Sequence, residues 1–140
     1  IIVMNDGLIA QRGQPQDLYE RPCSAFVAGF MGEATLFPAV ADADGFVRLA
    51  SLSLQPREAV VPGPVQVAVR PEAWRIGAAG DGLAATLRKA AYLGSHYEFT
   101  FDTELGQLLV ISGDAGPGLT PGAECGLSLA GRGVSVVAGS

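Results

Sequence analysis

Residues Leu83–Asp102 read LAATLRKAAYLGSHYEFTFD, and this stretch decides the fold. Tyr97, Phe99 and Phe101 fall on one side of an extended chain, and Glu98, Thr100 and Asp102 on the other. That is the period-two pattern of a half-buried strand. Leu83 to Tyr92 alternates more weakly and reads as a long strand ahead of it, with Gly94-Ser95 at the entrance to the second. The same period extends outward. Val65, Val67 and Val69 alternate with Gln66, Ala68 and Arg70, while Leu36–Ala41 and Phe46–Ala50 flank the hairpin signal Asp44-Gly45. Glu104-Leu105-Gly106 turns the chain into Gln107–Ile111, and Cys125–Leu129 and Val134–Val137 supply two last strands. Arg57–Pro64, Ala78–Gly82 and Gly113–Gly122 read as loops or turns. Short strands divided by Gly/Pro turns predict a mainly β chain, an OB-like small Greek-key barrel.

The opening is different. Ile1–Met4 is a β-rich run, Asp6-Gly7 is a hairpin turn, and Leu8-Ile9 begin the return strand. A chain at full hydrophobic strength from its first residue reads as a piece of a longer one. Gly13-Gln14-Pro15 leads into a short helix, with Pro15 at its first position, Asp17 in its first turn, Leu18 and Tyr19 as its packing face and Pro22 as its stop. A second short helix is expected from about Ser24 to Met31. Phe26, Val27, Phe30 and Met31 form its apolar stripe and Gly32 its end. The predicted organisation is a hairpin and two helices over residues 1–33, followed by a β domain over 34–140.

Composition narrows the function. The 140 residues are 49% hydrophobic, enough for a core, and carry a net charge of −5. Nucleic-acid surfaces need clustered cations, whereas Arg48, Arg57, Arg70, Arg75, Arg88, Lys89 and Arg132 are scattered. Cys23 and Cys125 fit no metal spacing and read as buried, reduced thiols. No apolar run is long enough to span a bilayer.

Catalytic patterns are missing. There is no phosphate-cradling G-x-x-x-x-G-K-[ST], no H-E-x-x-H and no nucleophile elbow, so the chain itself is expected to hold no catalytic residue, cofactor or metal. The one histidine, His96, reads as a half-exposed strand residue. Asp42, Asp44, Asp102 and Glu104 read as turn residues.

VMNDGLIAQRGQPQDLYERPCSAFVAGFMGE closely resembles the string that closes the ATP-binding domain of ABC importer ATPases. The matching positions are Val3-Met4, Asp6-Gly7, Ile9, Gln11, Gly13, Pro15, Leu18-Tyr19, Pro22, Phe26-Val27-Ala28 and Phe30-Met31-Gly32. Gln14 departs from the Thr or Ser usual there, which weakens the helix cap by about 1 kcal/mol. The remainder resembles the transport-associated OB (TOBE) domain of the same importers, through Val69-Arg70-Pro71-Glu72 and through Tyr92-Leu93-Gly94-Ser95 followed by Tyr97-Glu98-Phe99. Residues 43–64 carry least of the resemblance.

The resemblance implies a parent protein that hydrolyses ATP with Mg upstream of Ile1. This part would regulate, and hold two ATPase subunits together, so that an interface far from the ATP sites keeps their effective concentration high. The implied partners are its own nucleotide-binding domain, a second copy of the subunit (a homodimer, with strand exchange as one form) and membrane permease subunits, with no nucleic acid. The implied location is cytoplasmic, peripheral to the bacterial inner membrane. Ferric iron is the cargo that the pattern fits best, with polyamine, phosphonate, thiamine and sulfate importers as relatives.

Arg70, Pro71, Glu72, Gly94, Tyr97 and Glu98 are the family-signature or interface candidates. For Arg70 and Glu72 the plainer alternative is a strand-ending turn with both charges solvated. Tyr97, Phe99 and Phe101 match a core pattern better than a ligand platform. Two other functions compete. A free-standing oxyanion-binding OB module would need a cationic pocket. An oligonucleotide-binding OB domain would need interleaved arginines and aromatics.

Overall fold

The computed structural model describes residues 2–20, 34–56, 60–114, 119–131 and 133–138. The chain is mainly β, with curled sheets that form an OB-like half-barrel. Strands β1 (Ile2–Asn5) and β2 (Leu8–Arg12) form the expected opening hairpin. Asp6 and Gly7 both have positive φ, 52° and 78°, as a two-residue hairpin turn with the right twist requires. Helix α1 (Pro15–Glu20) follows, its first turn closed by the Leu18 N–H on the Gln14 carbonyl at 3.2 Å. Leu18 is buried with Val3, and Ala10 packs against them. The side chains of Asp17 and Tyr19, the second helix predicted from Ser24 to Met31, and Cys23 lie outside the described residues.

Two compact units make up the chain. Residues 1–49, 53–70 and 131–140 form one, and residues 50–52 and 71–130 the other. In the first unit β3 (Thr35–Ala41), β4 (Val47–Leu49), β5 (Leu52–Leu54), β6 (Gly63–Val69) and β12 (Val134–Ala138) make a five-stranded sheet in the order β12-β6-β3-β4-β5. Phe37, Ala41, Val47, Leu49, Val65, Val67, Ala68, Val69 and Val137 are buried on its strands. Pro38 is tolerated inside β3 because β4 reaches only Val40 and Ala41, which leaves the proline no ladder bond to break on that side. Asp42 is a turn former, as read: its Oδ1 accepts from the backbone N–H of Asp44 and of Phe46, each at 3.0 Å. Two differences from the sequence reading occur here. β6 begins at Gly63, inside the expected loop, and β5 was not read at all, being three residues long.

The second unit enters through a 3-10 turn (Pro71–Ala73) and β7 (Trp74–Ala78), then β8 (Leu83–Tyr92), β9 (Tyr97–Thr103), β10 (Gly106–Ser112) and β11 (Glu124–Leu129). Its sheet runs β10-β9-β8-β11-β7, every pair antiparallel. Leu83, Leu87, Phe99, Phe101, Leu108, Val110 and Leu127 fill its core. Leu87, Phe101 and Leu108 line up across three strands. Chain departure and return lie side by side: Val69 pairs with Val134, and the Arg70 N–H bonds the Gly133 carbonyl at 2.9 Å.

β7 and β8 are consecutive in sequence, yet β11 lies between them. The turn that joins them must therefore cross over β11. It does so at two bare positions. A Cβ on Gly126 would overlap the carbonyl oxygens of Asp81 and Ala78, and one on Gly82 the carbonyl of Leu127. These obstacles are backbone and cannot swing aside. Gly126→Ala is expected to lower unfolding stability by about 3 kcal/mol, measured by urea denaturation. Gly113→Ala, with nothing within 4 Å of the added carbon, is the control and should change stability by less than about 0.5 kcal/mol.

Candidate functional site

The six candidate residues fall in two places. Gly94, Tyr97 and Glu98 come together at the tip of the β8–β9 hairpin, whose strands pair from Tyr92↔Tyr97 inward. Arg70, Pro71 and Glu72 lie in succession where β6 leads towards β7.

At the hairpin tip, Gly94 has φ 91°, a left-handed conformation that suits glycine. The Leu93 N–H donates to the His96 carbonyl at 2.9 Å, and the Tyr92 hydroxyl donates to the Gly94 carbonyl at 2.5 Å. Ser95 Oγ lies 2.9 Å from His96 Nδ1, and His96 Nε2 lies 3.9 Å from Glu98 Oε1. Rings climb from the core to this tip: Phe101–Phe99 centroids are 6.3 Å apart, Phe99–Tyr97 5.8 Å and Tyr97–Tyr92 4.7 Å. Phe99 and Phe101 are core residues, as their period suggested, and Tyr97 is half-buried. Tyr92 and Leu93 stay 62% and 53% exposed at the tip.

The weak alternation of β8 has a physical cause. The register slips between Leu87 and Lys89. This bulge reverses the phase of the strand, so that Ala90 and Tyr92 pair with Phe99 and Tyr97. It also leaves Arg88 free of the ladder, and its Nε meets the Asp102 carboxylate on β9. Gln107 Nε2 on β10 donates to the other oxygen of Asp102 at 3.3 Å. Asp102 is thus a strand residue with partners and not a turn residue. The Arg88 hydrogen bond, aided by Gln107, holds its carboxyl below the ordinary value of 3.8.

At the other place, Arg70 is only 2% exposed, against the reading that leaves its charge in solvent. Pro71 is buried in the 3-10 turn and Glu72 is exposed. Sequence reasoning missed β7, although Trp74 and Ile76 alternate with Arg75 and would have signalled it. A cavity of about 790 Å³ lies against β7, the end of β10 and the start of β11. Its charged lining is Glu72, Asp114 and Glu124 against Arg75. Cys125, a free and buried thiol, also borders it, and burial pushes its pKa up. Among the described residues no group of three His, Cys, Asp or Glu could hold a metal, and no helix is long and apolar enough to cross a membrane.

These features define a small β module with a hydrogen-bonded hairpin tip. Residues 67–137, just over half of the chain, match the TOBE domain family, and the chain belongs to that family. It is also similar to larger proteins. It is 38% identical over 143 residues to the Fe(3+) ions import ATP-binding protein FbpC of Brucella abortus (strain 2308), covering 98% of this chain and 40% of that protein. The Rhizobium etli protein of the same name is 38% identical over 143 residues, with the same coverage. The Escherichia coli (strain K12) protein is 42% identical over 104 residues, covering 73% of this chain and 30% of its own length. The chain spans about two fifths of the length of the first two of these relatives.

The Arg88–Asp102 pair gives a pH prediction. A carboxyl whose pKa is lowered by folding contributes stability that is present above its unfolded pKa and lost as pH falls through its folded value. Arg88→Ala should return the Asp102 pKa towards its ordinary value of 3.8, read by NMR titration of the carboxyl carbon. Any stability gap between Arg88→Ala and the parent chain should exist at neutral pH and close in acid, below the folded pKa.

Proposed function

We propose that this chain is the C-terminal regulatory and dimerising part of the ATP-hydrolysing subunit of an ABC importer, and that the importer carries ferric iron. The observation that carries this reading is the alignment of 98% of the chain with Fe(3+) import ATP-binding proteins. In this reading residues 1–33 are the tail of the nucleotide-binding domain and residues 34–140 the regulatory β domain. ATP and Mg are used by the rest of the subunit. The partners are that domain, a second copy of the subunit and permease subunits, at the cytoplasmic face of the inner membrane. Arg70, Pro71, Glu72, Gly94, Tyr97 and Glu98 belong to the contacts that join the domains or the copies.

The hairpin tip suits such a contact. Its backbone is pinned by hydrogen bonds, and Tyr92 and Leu93 present apolar surface without loss of order. A place that both copies share can also bias one state of the cycle, through any ligand that binds that state better. An oxyanion-binding module is less well supported, because the cavity beside β7 offers three carboxylates for one guanidinium among its described lining.

The test uses the full-length product of the gene. It should hydrolyse ATP with Mg, restore ferric uptake to a strain that lacks its own importer ATPase, and elute as a dimer. The 140-residue chain alone should hydrolyse none. Glu98→Arg should weaken dimerisation of the full-length protein by tenfold or more and leave the fold, read by circular dichroism, intact. A full-length product without ATPase activity would end the importer reading. An active one that supports uptake of another solute would end only the assignment of iron.

A further inference from the structure

The second sheet is open, with β7 and β10 as its two edges. The cavity beside them is lined in an informative way. All of Trp74–Ala78 border it, and so does the consecutive run Ile111–Asp114. A cavity resting on one face of a strand touches every second residue, because successive side chains point to opposite faces. Contact with consecutive residues means that the cavity faces the backbone edge of the strand. In an antiparallel pair, alternate residues turn their N–H and C=O away from the neighbour. Between Arg75 and Gly77, β7 therefore presents outward backbone groups to whatever enters, while the Ala78 carbonyl is taken by the Asp81 N–H.

We propose that this slot takes an extended segment of a partner protein, with alternating apolar and basic side chains, which adds a strand to β7. β7 is five residues long, so the segment needs about five residues, or roughly 17 Å of extended chain. Main-chain hydrogen bonds to an exposed edge supply affinity in this mode, and alternate side-chain pockets supply specificity. The apolar half of the pattern comes from Ile76, Ile111 and Leu119, which border the slot. The basic half comes from its charge, since among the described lining residues Glu72, Asp114 and Glu124 outnumber Arg75. The same charge disfavours a second copy of this chain, whose net charge is −5. This inference stands apart from the importer reading and does not need it.

Trp74 is the only tryptophan and lines the slot, so its fluorescence reports occupancy directly. The 140-residue chain is titrated with an amidated peptide of alternating lysine and valine. Expected is a saturable change in Trp74 emission, with amide NMR shifts over Arg75–Ala78 and Ile111–Asp114. The glutamate–valine counterpart should bind at least tenfold more weakly, and methylation of alternate peptide nitrogens should abolish binding. Asp114→Lys with Glu124→Lys, both at exposed positions, should reverse the preference between the two peptides. Absence of any response overturns the proposal, as does equal affinity for the two peptides or undiminished binding of the methylated one. It is also overturned if Trp74 emission changes on concentrating the chain alone while light scattering shows a dimer, since a second copy would then fill the slot.

Discussion

One crossing governs the second unit. β11 pairs with both β7 and β8, so the turn that joins those two strands must pass over it. Side chains at Gly82 or Gly126 would hold that turn off the sheet. With the turn seated, Leu127 and Cys125 pair with Leu83 and Ala85, and β11 completes the hydrophobic floor under β8. β7 is displaced to the edge by the same event. The open seam and the cavity along it follow from that displacement.

Much of this was legible in the residues. Alternation located β8, β9, β10 and β11 because each has one wet and one buried face. Asp6-Gly7 was readable because a right-twisting hairpin turn needs two left-handed residues. Other features left no local trace. β5 is too short to show a period, and β7 follows a proline turn that suggests an ending. The β8 bulge looked like poor alternation, since one inserted residue inverts the pattern halfway along. The burial of Arg70 was invisible because burial of a cation depends on what the fold brings over it, and the VRPE string says nothing of that. Of the candidate site, the sequence showed which residues belong to the tip but not the ring ladder that stiffens it. That ladder depends on the phase reversal at Arg88.

The bulge and the tip belong to one piece of mechanics. A lone two-stranded ribbon is a weak support for a contact surface, but here β10 pairs with β9 as far as Tyr97, so a third strand reaches the tip. Here the ribbon is stiffened twice. Arg88, Asp102 and Gln107 tie three strands at its base, and stacked aromatic rings run from the core to Tyr92 at its end. These links join the tip to the core through three paired strands. That arrangement suits a domain that joins moving subunits in the proposed importer.

The segment 71–130 also departs from and returns to neighbouring strand ends, with Arg70 bonded to Gly133 and Val69 paired with Val134. Topologically, residues 71–130 form a detachable cassette. The chain enters and leaves residues 71–130 at that pair of adjacent ends, so a change in their length leaves the pairing of Val69 with Val134 as an unchanged pair of attachment points. A lineage could therefore lengthen or shorten residues 71–130 while the two strand ends that frame them stayed side by side.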